Sequence, residues 1–440
     1  RRSGRGWRTG RIMAGGAARR SMGDSDARLA RATGRRRGVD SLALVVALLL
    51  AGASITSAIP ADDQWAWVNA VGRRGAFVFS EDAGRSWTTG STGTTEDLLD
   101  VSFRDARNGV AVGAASTVIA TSNGGKEWEP IEGVVAEAAT LLGVSVSVAG
   151  HIRIVGEKGL FVTYEDGGDW ALPVMVECTT VREPCAMAPY NKTASTGVDL
   201  YGVRFKDPIN GLLIGANALV LVTNDGGGSF MPAEPPISGT LLPNLHRIAI
   251  DRIGRLSVAG GGGAAFFIDP YIVSPATSDA IEYRWAGCNT SGCAAAVPVA
   301  PGGFFSTRDL LSTSIIDDKN IMWGGGGGYL ARLTSVEDPE VSVQTPWKTI
   351  AVPGLSSTHN ITGVYMSSIK TAMLVTDGGA IFWTGDNGET WAEKAYNAST
   401  PLSFLAISGR NSGDISAGAR PSPLLSVALA LLLASIAVSR

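Results

Sequence analysis

An all-β fold, a single closed ring of seven four-stranded antiparallel blades, is what this chain of 440 residues predicts. Three observations lead there. The first is period-two alternation in short runs. "LLDVSFRDARNGVAVGAASTVIAT" (Leu98 to Thr121) returns as "LYGVRFKDPINGLLIGANALVLVT" (Leu200 to Thr223). Each reads as an alternating strand, a charged turn, a strand ending in glycine and a third apolar strand, the signature of antiparallel sheet. The second is that glycine, which recurs as a marker at Gly72, Gly113, Gly156, Gly215, Gly260, Gly324 and Gly378. The first two steps between markers, 41 and 43 residues, match the length of a four-stranded β-propeller blade, and seven markers predict seven blades. The third is a tight, acidic, glycine-bearing turn that follows the third strand five times.

These turns align residue for residue. They are Ser80-x-Asp82-x-Gly84-x-Ser86-Trp87, Thr121-x-Asn123-x-Gly125-x-Glu127-Trp128 and Thr163-x-Glu165-x-Gly167-x-Asp169-Trp170. Thr223-x-Asp225-x-Gly227-x-Ser229-Phe230 and Thr384-x-Asp386-x-Gly388-x-Thr390-Trp391 complete the set. A short acid or amide accepts bonds from backbone amides just downstream and closes a turn, while glycine takes positive φ without a clash. The hydroxyl bonds back across the turn and the aromatic ring is expected between neighbouring sheets. The motif resembles the Asp box of sialidase-type and related β-propellers, whose role is structural. Calcium is not expected in it, because boxes this short and this poor in carboxylates cannot supply six or more oxygens.

Ring closure is legible too. The first blade starts at "WAWVNAVG" with no preceding copy of the "LLDVSF" strand, whereas "LSFLAIS" (Leu402 to Ser408) stands alone after the last box. The tail strand is expected to complete the first blade and remove the exposed sheet edges of an open array. The two long steps between markers carry the four cysteines, so Cys178–Cys185 and Cys288–Cys293 are read as disulfides that tie off insertions in an oxidising compartment. The domain reading is a basic targeting region with a signal peptide (1–61), the propeller (62–408), and a linker with a C-terminal hydrophobic anchor signal (409–440).

The charge distribution supports export and excludes nucleic acid. Residues 1–40 carry twelve arginines against Asp24, Asp26 and Asp40, which leaves 25 basic and 37 acidic residues in the remainder. Phosphate binding needs a basic face, and this body is acidic. After Arg35-Arg36-Arg37, "SLALVVALLLAGASITSA" has the order of an export signal. At the other end Leu424 to Val438 is uncharged but short of the roughly 20 residues that span a bilayer. A small triplet from Asn411 and a polar spacer precede it, the order of a glycosylphosphatidylinositol signal with Asn411 as the attachment residue, and a short membrane helix is the alternative. Four sequons, at Asn191, Asn289, Asn360 and Asn397, mark expected glycosylation sites.

Box and repeat together resemble the propeller family of photosystem II assembly and stability factors, most clearly over residues 98–131, 200–230 and 361–391. That resemblance implies a seven-bladed, non-enzymatic scaffold in the thylakoid lumen that holds a reaction-centre subunit during assembly. The paired cysteines, sequons and apolar tail depart from it. The leading reading is therefore a non-enzymatic, exported scaffold at a membrane surface that binds a protein or glycan partner, with no cofactor, metal or catalytic residue. The photosystem II assembly factor is the first alternative and a glycoside hydrolase of Asp-box type the second. Sialidase is excluded by the missing Arg-Ile-Pro motif of that family. The glycine runs at 260–263 and 324–328 are read as blade glycines and not as phosphate cradles, and the box tryptophans as core.

Overall fold

Second strands such as "GVAVG" (Gly109–Gly113) and "LSVAG" (Leu256–Gly260) are buried along their whole length, with no polar side of the usual alternation. That happens when both faces of a sheet are covered, here by the neighbouring blades. The computed structural model of the chain describes residues 67–410, apart from 136–137, 166–168, 179–183, 194, 196, 234–241, 252, 272–281, 286–307, 318 and 334–346. The described residues form an all-β propeller of antiparallel blades: six sheets of four strands and one of five. We number the blades along the chain. Their innermost strands are Phe404–Arg410, Leu98–Phe103, Leu141–Val146, Leu200–Phe205, Leu245–Ile250, Leu310–Asp317 and Ile361–Met366.

Successive innermost strands touch one another around a closed cycle. They run in the same direction, because contacts advance together along neighbours. The Val144 and Val146 amides donate to Asp100 and Ser102, and those of Val364 and Met366 donate to Ser312 and Ser314. Closure follows the expected route: Phe404–Arg410 pairs antiparallel with Trp67–Gly72, with Trp67 opposite Arg410. The closing strand runs two residues beyond the expected Ser408.

Blade 3 corrects the expectation of four strands throughout. Val174–Glu177 is its fourth strand and Ala186–Pro189 adds a fifth, paired along Glu177↔Ala186. Cys178 and Cys185 are bonded to each other at the end of that hairpin, so the insertion is an extra strand and not an irregular loop. Cys288 and Cys293, and the sequon at Asn289, lie outside the described residues.

The marker glycine has a steric cause. A Cβ on Gly113 would stand 1.9 Å from the Asp97 carbonyl oxygen, and one on Gly72 would stand 1.8 Å from that of Ser403. Two markers need correcting. In blade 6 the position belongs to Gly325, which pairs with Leu310, and not to Gly324. In blade 7 it belongs to Thr376 and not Gly378: the Thr376 hydroxyl accepts the Ala380 amide, so a different turn spares the glycine. After the marker, six blades place a residue at φ of 51–62°, for example Arg74, Lys158 and Asn217.

This left-handed residue turns its N–H toward the next blade, where an acid or amide just ahead of the innermost strand accepts it. The pairs are Arg74 with Asp97, Lys158 with Asp199, Asn217 with Asn244, Gly262 with Asp309, and Gly327 with Asn360, at 2.8–3.2 Å. Between the blades lie apolar clusters such as Phe77, Phe103 and Trp128, each large side chain contributing about 2 kcal/mol on burial.

The latch yields a test. Asp199→Ala removes a part-buried acceptor and is expected to cost on the order of 1 kcal/mol, read as a lower urea midpoint at unchanged slope. Asp199→Asn should stay near wild type, because Asn244 and Asn360 do the same work elsewhere. Equal loss in both variants would contradict a latch that needs only an acceptor oxygen.

Candidate binding faces and the central channel

Because the innermost strands are co-directional, the ring has two unlike ends. One carries the connectors between blades and the three-residue turns after the marker, and we call it the connector end. The other carries the loops from first to second strand together with the boxes, and we call it the hairpin end.

At the hairpin end four boxes share one geometry. The Ser80 hydroxyl accepts the Gly84 amide at 2.8 Å and donates to Asp82 Oδ1 at 2.8 Å. Asp82 then accepts the Ser86 amide at 2.8 Å and the Ser86 hydroxyl at 2.6 Å. Thr223/Asp225 and Thr384/Asp386 repeat this network, and Thr121/Asn123 does so except that Asn123 Nδ2 donates to the Glu127 carboxylate at 3.0 Å. Gly84, Gly125, Gly227 and Gly388 all have φ between 81 and 99°. Trp87, Trp128, Phe230 and Trp391 are buried in the clusters between blades, as core side chains and not as a carbohydrate platform.

The third box differs. Glu165 contacts His151 Nδ1 at 2.6 Å and Arg153 at 2.8 Å, Gly167 lies outside the described residues, and Trp170 is only half-buried.

The boxes also bind blade to blade, which their spacing does not disclose. The carbonyl just after the box acid accepts a donor from the preceding blade. Trp383 Nε1 reaches Ala83 O at 3.0 Å, Arg153 Nε reaches Gly226 O at 3.2 Å, and Arg332 reaches Asn387 O. Both arginines are buried. Arg153 is lowered by burial, against Glu165, and Arg332 by burial, against Glu389 and Asp317. At the seam between blades 1 and 2 the matching side chain is Asn69, buried with neither amide atom partnered.

Charges from three blades meet among the innermost strands. Asp100 is buried on blade 2 and takes Arg247 of blade 5 at 2.9 Å, with Arg204 of blade 4 at 3.8 Å. Arg247 also donates to Leu99 O at 2.6 Å and Leu405 O at 3.2 Å, crossing from blade 5 to blades 1 and 2. Arg204 donates to Val144 O at 2.8 Å. Two guanidiniums face one carboxylate, so the cluster carries one net positive charge.

Toward the connector end, half-buried Leu99, Leu142, Tyr201, His246, Leu311 and Leu405 occupy the second position of their strands. The Tyr201 and His246 rings lie 5.7 Å apart. Burial lowers the His246 pKa, against the pull of Asp309 and with help from Arg247. Burial, then Asp199, raises that of Tyr201. This end of the innermost strands thus presents leucines and an aromatic pair beside the Arg247 guanidinium. Sequence reading named none of these residues. The signal in reach was the Asp/Asn-Leu/Ile pair that opens five innermost strands, as at Asp199-Leu200.

Other expected sites fall as follows. Asn191 and Asn397 are exposed, whereas the Asn360 amide nitrogen donates to Asp377 at 2.9 Å and its oxygen belongs to the latch. Asn411 lies outside the described residues. Among the described residues no group of His, Cys, Asp or Glu side chains is placed to hold a metal ion, and no helix is long and apolar enough to cross a membrane. The glycine runs form the turns Gly261–Gly263 and Gly326–Gly328 at the connector end.

Residues 79–188, from the third strand of blade 1 into blade 3, match the family model described as photosynthesis system II assembly factor YCF48. The chain resembles that propeller family. No curated protein sequence matches it. Among solved structures, YCF48 bound to D1 peptide is similar at 18% identity and TM-score 0.46, covering 72% of this chain and 91% of that one. YCF48 from Cyanidioschyzon merolae is similar at 16% and 0.45, covering 68% and 84%. A protein from Lactobacillus plantarum reaches TM-score 0.51 at 11% identity, covering 79% and 100%, a likeness of fold alone.

Two outcomes are expected. Arg247→Met should cost about 3 kcal/mol in urea unfolding, because it strips Asp100 of its nearest charge partner, and adding Asp100→Asn should recover part of that loss. Hydrogen bonds from the Thr390 hydroxyl and amide, then Thr384, hold Asp386 at about 2, below its ordinary 3.8. A carboxyl lowered on folding contributes stability that is complete above its unfolded value and is lost as pH falls through the folded one. Between pH 3.8 and about 2 the wild type should therefore lose stability more steeply than Asp386→Asn in acid titrations followed by circular dichroism.

Proposed function

We propose that the protein is a non-enzymatic propeller scaffold that holds a segment of a protein partner, in the manner of the photosystem II assembly factors. The observation that carries this reading is the family-model match over residues 79–188. The connector end is compatible with it: its half-buried leucines and the Tyr201–His246 pair would accept apolar side chains. Catalysis by the channel carboxylate is disfavoured. The Asp100 oxygens are committed to Arg247 and to the Val144 amide, whereas a glycosidase needs two carboxylates free to exchange protons or attack. On this reading the partner is a reaction-centre subunit and the compartment the thylakoid lumen.

A second reading, an exported glycoprotein scaffold tethered after the closing strand through Asn411, is favoured by the Cys178–Cys185 bridge and by the exposed Asn191 and Asn397. A D1 peptide is the first probe for the leading reading. Its binding, followed by fluorescence anisotropy, should weaken at least about tenfold in Tyr201→Ala, a truncation at the connector end that leaves the Asp100–Arg247 pair in place. Binding that is absent in the wild type, or untouched by Tyr201→Ala while Arg107→Ala abolishes it, would remove the connector end from consideration.

A further inference from the structure

The loop tips at the hairpin end share a construction. Asp105, Asp207, Asp251 and Asp317 turn inward: each carboxylate accepts the backbone N–H two residues on, from Arg107, Ile209, Ile253 and Lys319. In blade 7, Ser368 accepts Lys370 N–H in the same way. The loop acids are thereby bonded inside their turns and basic and apolar side chains project beside them, while the boxes at the same end keep Glu81, Glu127, Asp225, Asp386 and Glu389 exposed. Arg107, Lys319 and Lys370 are exposed, and so are Val148 (50%), Ile209 (54%), Ile253 (59%) and Ile369 (49%). Val148, Ile209 and Ile253 stand on the consecutive blades 3, 4 and 5. Large apolar side chains offered by successive loops on one face, with cations between them on an acidic body, mark an interaction surface.

Both chain ends of the ring leave from this same end. Trp67 pairs with Arg410. Gly409 packs against Tyr365, and Tyr365 lies one residue from the end of its innermost strand, where the loop bearing Ile369 and Lys370 begins. The uncharged run Leu424–Val438 starts 14 residues beyond Arg410, and Asn411 is the next residue along the chain. An apolar tail kept in a bilayer, or a lipid exchanged for it at Asn411, would tether the ring to the membrane from the hairpin end.

The geometry points to the hairpin end as a lipid-facing surface: Val148, Ile209, Ile253 and Ile369 enter the interface of an anionic bilayer, and Arg107, Lys319 and Lys370 meet its headgroups. Apolar side chains at loop tips gain by burial in the acyl boundary, and each cation near an anionic leaflet adds attraction that salt screens. The surface holds whichever partner the connector end takes, and it leaves that end open to solvent.

Full-length protein on vesicles of phosphatidylcholine and phosphatidylglycerol, followed by hydrogen–deuterium exchange, tests it. Slowed exchange is expected across the loops at 104–109, 207–211, 251–255 and 368–371, with no change at the turns 114–116, 157–159 and 216–218. Raising the salt should reduce the protection. Ile209→Asp with Ile253→Asp, at exposed positions that leave the fold intact, should abolish loop protection even where the tail keeps the chain on the vesicle. Chain bound with protection on the opposite turns, or on neither set, overturns the inference while leaving the tether itself standing. Absence of vesicle binding overturns it as well. So does protection of these loops by a protein partner alone, with vesicles leaving them unchanged.

Discussion

The ring depends on one small interaction made five times: an acid or amide immediately ahead of an innermost strand accepts the N–H of a left-handed residue in the preceding blade. The same residue's carbonyl can be bonded within its own blade, as Asp97 O is by Ala114 N at 2.9 Å, so one position joins both sheets. The left-handed conformation is what aims the donor across the seam. It costs little at Asn217, Gly262 or Gly327 and more at Arg74 and Lys158, which keep it because both neighbours over-determine the turn.

The opposite end is held by different chemistry. There the box fixes two consecutive left-handed residues, for example Ala83 and Gly84, and the first of them offers its carbonyl to a buried Trp383, Arg153 or Arg332. Burying a guanidinium is costly unless its hydrogens are matched, and here backbone carbonyls supply part of the match, with Glu165 at Arg153 and Asn320 at Arg332 adding to it. Asn69 marks the seam where this match is not made, so two of its polar atoms remain unpaired in a buried place.

Holding each end separately leaves the axis free for a third arrangement, the Asp100–Arg204–Arg247 cluster. Its arginines come from blades 4 and 5 and its aspartate from blade 2, so the cluster forms only when the ring has closed. The half-buried Leu99, Leu142, Tyr201, His246, Leu311 and Leu405 lie toward the connector end of the same strands.

Period-two alternation, the marker glycines and the boxes are local patterns, and they were enough to predict an all-β propeller and the closing strand, as the short cysteine spacing was for the disulfide between Cys178 and Cys185. Short-range sterics write them directly: only glycine fits 1.9 Å from the Asp97 carbonyl oxygen, and only a short acceptor closes a box. Blade 3's fifth strand and the threonine in the blade 7 marker escaped, because either segment could have formed a loop or the usual turn with the same residues. The Asp100–Arg204–Arg247 cluster and the buried Arg153 and Arg332 were illegible for a deeper reason. Arg247 and Asp100 are 147 residues apart, and nothing near either predicts the other. Their pairing is a consequence of closing the ring, which sets distant innermost strands side by side around one axis; tertiary structure alone decides which charges meet there and which end of the ring is left apolar.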